Sequence, residues 1–173
     1  MVDVGDKAIT TRIAVAECTV VLGAAIMAEL AGQDFNTKKG SVIQTAIIAG
    51  TMAVKQTWSV IPLCHALDIS SIKFDIQAAD QGAAAGDALN RSNRTSTPFS
   101  RTAKKVGEAL HVTCRVKSEG RTGVEMEALH GCSVAALTIY DMCKAMSHDI
   151  EVNGLRLVSK TGGKMDFLKS EVG

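Results

Sequence analysis

The sequence predicts an α+β fold: an antiparallel sheet with helices on one face. Three observations carry this expectation. Two segments alternate apolar and polar residues with a period of two, the mark of half-buried antiparallel strands. Longer segments rich in alanine, leucine and isoleucine read instead as buried helices. The elements then follow in the order β-α-α-β-β-α-β, a split β-α-β, ferredoxin-like arrangement with one extra helix. At 173 residues, with 46% hydrophobic and 21% charged content, the chain reads as one domain, 1–173, long enough to bury a core.

Taken in order, "RIAVAECTVV" (12–21) is rich in β-branched residues and reads as the first strand. "LGAAIMAELAG" is a short helix closed by Gly32. The polar stretch "GQDFNTKKG" reads as a loop leading into "SVIQTAIIAGTMAVKQT", a longer helix with Ser41 as its N-cap. In "SIKFDIQ", Ile72, Phe74 and Ile76 face one way while Lys73, Asp75 and Gln77 face the other. In "ALHVTCRVK", Leu110, Val112, Cys114 and Val116 alternate with His111, Thr113, Arg115 and Lys117. Between those strands, residues 82–105 are rich in small, polar and basic residues, and read as a flexible insertion. "GVEMEALHGCSVAALTIYDMCKAMS" is a long helix, and "IEVNGLRLVSK" a last strand with a tight turn expected at Asn153-Gly154.

Composition excludes several classes. A net charge of +1 leaves no broad basic field, and 3% aromatics leave no stacking platform, so nucleic acid is not expected. No apolar run approaches the roughly 20 residues of a membrane span, so no membrane partner is expected. The cysteines (Cys18, Cys64, Cys114, Cys132, Cys143) are odd in number and show no C-x-x-C spacing. They read as reduced thiols in a soluble intracellular protein, with no metal site. A sheet with helices on one face leaves the other bare, so self-association is expected.

The chemistry-bearing residues lie in five places. "IPLCHAL" sets Leu63, Cys64 and His65 in an apolar run, where a histidine is more often a core residue than a functional one. In "TIYDMCKAM", Asp141 and Lys144 are three apart on one helix face among apolar neighbours. About 100° of turn per residue puts Glu127, Val134 and Asp141 along one stripe. "GVEMEAL" places Glu125, Met126 and Glu127 in the first helical turn, where acids also complement the helix dipole. "SKTGGK" can bare backbone N–H groups as an anion nest beside Lys160 and Lys164, and "TKKGSV" puts Lys39 before a helix start. No Walker A loop is present. Together these signals point to a small, multiply anionic ligand.

The segments "MVDVGDK", "AGTMAVKQT", "IPLCHAL", "GVEMEAL", "SVAALTIYDMCKAM" and "SKTGGK" resemble the cyclic pyranopterin monophosphate synthase family of molybdenum cofactor biosynthesis. The resemblance runs through nearly the whole chain except 82–105. This chain has Ala66 where the family commonly has proline, and Met165 before Asp166 where a small residue and glycine are usual. The resemblance implies conversion of (8S)-3′,8-cyclo-7,8-dihydroguanosine 5′-triphosphate to cyclic pyranopterin monophosphate and diphosphate. It implies a lyase using acid–base catalysis and no tightly bound cofactor, with a role for Mg²⁺ at the triphosphate left open.

Carried over by position, the resemblance makes Asp141 and Lys144 catalytic. Leu63, Cys64, His65, Met126, Glu127 and Glu125 would contact substrate, Lys39 and Lys160 would neutralise its triphosphate, and Arg12 and Lys164 are further phosphate candidates. It also implies a homohexamer, a trimer of dimers with sites near subunit interfaces. Functional coupling to the radical enzyme that makes the substrate follows, in the cytoplasm of a bacterium or the mitochondrial matrix of a eukaryote. Two other classes stay open on the residues alone. A nucleotide-sensing module would need the anion seats but not the Asp141–Lys144 pair, and a structural oligomer would leave His65 and the helix-start acids idle.

Overall fold

The computed structural model describes residues 1–79 and 107–169. Its elements are β1 (Thr10–Val21), α1 (Ala24–Gly32), β2 (Asn36–Thr37), β3 (Gly40–Ser41), α2 (Val42–Val60) and β4 (Ile69–Ala78). After these come β5 (Ala109–Gly120), α3 (Glu125–Cys143), β6 (Glu151–Thr161) and β7 (Phe167–Leu168). The expected insertion at 82–105 lies outside the described residues.

The main sheet runs β4-β5-β1-β6-β7, and every pairing is antiparallel. β1 lies between β5 and β6, so each helical crossover skips one strand. That is the split β-α-β order expected from the sequence. The alternation in β1 explains its central place: Ala14, Ala16, Cys18 and Val20 point into the core and are at most 1% exposed. Small side chains there let α3 lie close, and α3 answers with Ala128, Gly131, Cys132, Ala135 and Ala136, all buried. Larger groups such as Leu30, Leu110 and Ile139 fill the remaining core, each fully buried branched chain contributing about 1.5–3 kcal/mol.

α2 and α3 run antiparallel: Gly50 and Val54 touch Gly131, and Lys39, just before α2, reaches Asp141 near the end of α3. Their contact depends on glycine. A Cβ on Gly131 would lie 2.4 Å from Val54 Cγ2, and one on Gly50 would lie 2.9 Å from the Gly131 carbonyl. Gly131→Val is therefore expected to destabilise by about 2 kcal/mol, the usual scale for overpacking a tight contact. Urea unfolding measures this, and an unchanged midpoint would show that the helices separate freely.

Three features differ from the sequence expectation. Asn153-Gly154 is not a turn: β6 continues through it, and Gly154, at φ 67°, sits where the register against β1 shifts. One extra residue is absorbed as a bulge, which positive φ permits. The polar loop before α2 holds a minimal hairpin, β2 with β3, entered through Asp34 and Phe35 at positive φ. A short β7 pairs with β6 at Ser159 and Lys160. Two-residue strands carry too little alternation to be read from sequence.

The face of the sheet away from the helices is not simply polar. There Glu17 is only 2% exposed, with Arg156 Nε donating to its Oε1 at 2.7 Å and His111 Nε2 3.4 Å from Oε2. Burial pushes this carboxyl up, but the bonds from His111 and Arg156 outweigh it and leave the pKa below its ordinary value. No helix among the described residues is long and apolar enough to cross a membrane.

Candidate functional site

The expected site residues gather at the two ends of α3. At its C-terminal end the β2–β3 hairpin presents Lys39, whose turn is fixed by Thr37: its Oγ1 accepts from the Lys39 backbone N–H at 3.1 Å. Lys39 Nζ donates to both the carbonyl and Oδ2 of Asp141, each at 2.8 Å. Lys144 Nζ lies 2.9 Å from Asp141 Oδ1. One carboxylate is thus gripped by two ammonium groups. Hydrogen bonds from Lys39 and then Lys144 hold the Asp141 carboxyl down at about 2. The same contact raises the Lys144 amine above its ordinary value. In this chain the partner carboxylate wins over desolvation, because Lys39, Asp141 and Lys144 are 48%, 54% and 50% exposed.

The N-terminal end of α3 holds the other residues. α2 stops at Val60 because Pro62 cannot continue a helix and pushes Ile61 to extended backbone, φ −96° and ψ 109°. The turn that follows, closed by Cys64 N–H donating to the Ile61 carbonyl at 3.1 Å, leaves Leu63 exposed and Cys64 and His65 half-buried. Burial and then the charge of Glu127 push the Cys64 thiol up. Glu127 itself is 4% exposed, and its carboxyl is raised by burial and, more weakly, by Glu125. Met126 is partly exposed beside it.

Beyond Glu127, Lys160 Nζ donates to Glu125 Oε1 at 2.9 Å. Both line a cavity of about 680 Å³ together with Lys7, Arg12, Arg121 and Lys164. The glycine loop shapes its wall. Gly162 adopts φ 87°, and a Cβ there would lie 1.8 Å from the Thr11 carbonyl. Gly162→Ala is accordingly expected to destabilise by at least about 2 kcal/mol and to open the cavity, checked by thermal melting. The expected anion nest in this loop is already occupied: the Gly162 N–H donates to Asp166 Oδ1 at 3.0 Å.

Fourteen residues separate Glu127 from Asp141, which is about 21 Å along the helix axis. So Lys39, Asp141 and Lys144 form one group, and Cys64, Glu125, Glu127, Lys160, Arg12 and Lys164 form another. His65 follows Cys64 on the second side. The stripe through Glu127, Val134 and Asp141 is real, but it runs from a buried end to an exposed one. Nothing in the sequence singles out Lys7 or Arg121 on the cavity wall, or buried Glu17. Isolated charges in turns and strands carry no spacing signal. Among the described residues, no group of three or more His, Cys, Asp or Glu could hold a metal ion.

A family model described as the MoaC family matches residues 1–163. Over 167 residues the chain is 45% identical to the cyclic pyranopterin monophosphate synthase of Xanthomonas axonopodis pv. citri, covering 96% of this chain and 86% of that protein. It is 47% identical to the molybdenum cofactor biosynthesis bifunctional protein of Synechocystis, covering 96% of this chain and 42% of that one. It is 44% identical to molybdenum cofactor biosynthesis protein 1 of Drosophila melanogaster, covering 99% of this chain and 26% of that one.

Proposed function

The chain belongs to the MoaC family, and we propose that it is a cyclic pyranopterin monophosphate synthase of molybdenum cofactor biosynthesis. In this reading it converts (8S)-3′,8-cyclo-7,8-dihydroguanosine 5′-triphosphate to cyclic pyranopterin monophosphate and releases diphosphate, as a lyase. The observation that carries it is the Lys39–Asp141–Lys144 clasp, a built acid–base group in a chain of this family. The reaction rebuilds a purine-derived ring and needs proton transfers but no net oxidation. Lys144, held as an ammonium by Asp141, delivers protons, and Glu127, biased toward its protonated form by burial, exchanges them. Lys160, Arg12 and Lys164 meet the triphosphate; Lys39 orients Asp141. Conversion of the cyclised nucleotide by purified protein is the test. Nucleotide binding without turnover would favour the sensing module instead.

The two groups are too far apart in one chain to act on the same reacting atoms, since proton transfer needs contact at roughly 3 Å. A second copy that sets the lysine clasp of one protomer against His65, Glu127 and Lys160 of its partner completes the site. This supports the dimer-based homohexamer. The Synechocystis and Drosophila relatives are named for the same biosynthesis and are longer chains, which supports coupling to the enzyme that supplies the substrate. The proposed chemistry uses no resident transition metal. Metal analysis after gel filtration should find well under one zinc or iron per chain, and turnover should survive chelation by agents that spare Mg²⁺. A stoichiometric metal required for turnover would overturn that.

A further inference from the structure

We propose that Cys18 of β1 and Cys132 of α3 are a redox pair that closes to a disulfide under oxidation and staples the helix to the sheet. Their Sγ atoms lie 3.3 Å apart, although the residues are 114 apart in sequence. Small side chains on both elements allow this approach. Ala14 and Ala16 precede Cys18 on the core face of β1, and Ala128, Gly131 and Ala135 surround Cys132 on α3. A disulfide holds its sulfurs at about 2.05 Å, so closure asks for roughly 1.2 Å of movement. The other sulfur contacts are weak: Cys18 Sγ to the Cys132 carbonyl at 3.8 Å, and Cys132 Sγ to the Val112 carbonyl at 3.6 Å. Cys114, also buried, pairs across the ladder with Ala16 and not with Cys18, which makes it the diagonal neighbour and the competing thiol.

Cys18 is 1% exposed and Cys132 fully buried, so an oxidant reaches them when α3 lifts from β1. While the helix is seated, the hydrogen bond with Cys18 and then burial push the Cys132 thiol up, and the thiolate is the reactive form. The pair is thus shielded in the closed chain. With a hydroperoxide as oxidant the step balances. A thiolate attacks one peroxide oxygen; the S–O bond forms, the O–O bond breaks, and hydroxide leaves and takes up the thiol proton as water. The second sulfur then attacks the sulfenic sulfur, the S–S bond forms, and the oxygen departs with the remaining thiol proton as a second water. Each sulfur gives one electron, and the peroxide takes two. The cross-link falls between Glu127 and Asp141, so it fastens the element that carries both site groups. Spanning so much of the chain, it restricts the unfolded state more than a short loop would.

Treatment of the full chain with hydrogen peroxide, followed by alkylation and peptide mapping, tests the pair. A peptide linking Cys18 to Cys132 should appear. The linked chain should unfold at a urea midpoint at least about 1 M higher, and dithiothreitol should return it to the value of the untreated chain. Cys18→Ala and Cys132→Ala should each abolish both effects, while Cys114→Ala should keep them. If the first two variants melt early, the linked peptide in the parent and in Cys114→Ala still decides. No linked peptide in samples where the partly exposed Cys64 is fully oxidised would overturn the proposal. So would a dominant link between Cys18 and Cys114, or an unchanged urea midpoint in the linked chain.

Discussion

Asp141→Asn and Lys144→Ala are each expected to lower turnover of the cyclised nucleotide by at least about 10²-fold, the low end for a positioned acid–base group. Neither should unfold the protein. The ion pairs they break are about half exposed, and pairs in that setting contribute little to stability. Asp141→Asn keeps the shape of the clasp and removes the charge that raises the Lys144 amine. The amine's pKa should fall, and the alkaline limb of the pH–rate profile should move to lower pH. A purely structural role for Asp141 would not move that limb. Turnover close to that of the parent in either variant removes the proposed chemistry.

The same variants test the division of the site between chains. The lysine clasp and Glu127 are about 21 Å apart along α3, so the shared site needs two protomers. Lys144→Ala and His65→Ala should each be inactive alone. Unfolding, mixing and refolding the two should regenerate some sites in which both groups are intact. In a two-fold interface half of random pairs are mixed and one of their two sites is whole, giving up to about a quarter of parental activity. No recovery from two well-folded parents keeps the chemistry but sinks the shared site.

The fold was legible because two of its strands, β4 and β5, alternate core-facing apolar residues with polar ones. Ile72, Phe74 and Ile76 on β4, and Leu110, Val112, Cys114 and Val116 on β5, face the core as their alternation requires. Where the pattern is shorter than one period, the reading stopped: β2, β3 and β7 are set by tertiary pairing and by Thr37, not by propensity. Asn153-Gly154 misled because the dipeptide that favours a hairpin turn also suits a bulge, and β1 on one side decided between them. Within the site, Asp141 and Lys144 were visible from helical spacing. The bond from Lys39 crosses 102 residues of sequence, and only the antiparallel pairing of α2 with α3 brings it there. Their exposure in the single chain could not be read from apolar neighbours such as Ile139, Met142 and Cys143, which face the core on the other side of the helix.

Glu127→Gln is expected to lower turnover at least about 10²-fold and, at the same time, to stabilise the protein at neutral pH. Both effects have one cause. The Glu127 carboxyl is 4% exposed, and burial raises its pKa above the ordinary value of 4.5, so the folded chain holds its proton more tightly than the unfolded chain does. Below the unfolded pKa both states are protonated and the group is neutral to stability. As pH rises through that value the unfolded chain ionises first, and stability falls until the folded carboxyl has ionised too. Above that point the full penalty of a buried carboxylate remains. Glutamine has the same shape and never ionises, so it should raise Tm at pH 8, by about 1 kcal/mol of stability, the usual scale for relieving a group held for chemistry. Near pH 4 the difference should shrink toward zero. Melting curves of parent and variant across pH 4–8, beside turnover at each pH, measure both effects. A variant that is equally stable at every pH contradicts the raised carboxyl. A variant that is stabilised at pH 8 but still turns over at the parental rate leaves Glu127 a buried acid with no part in the reaction.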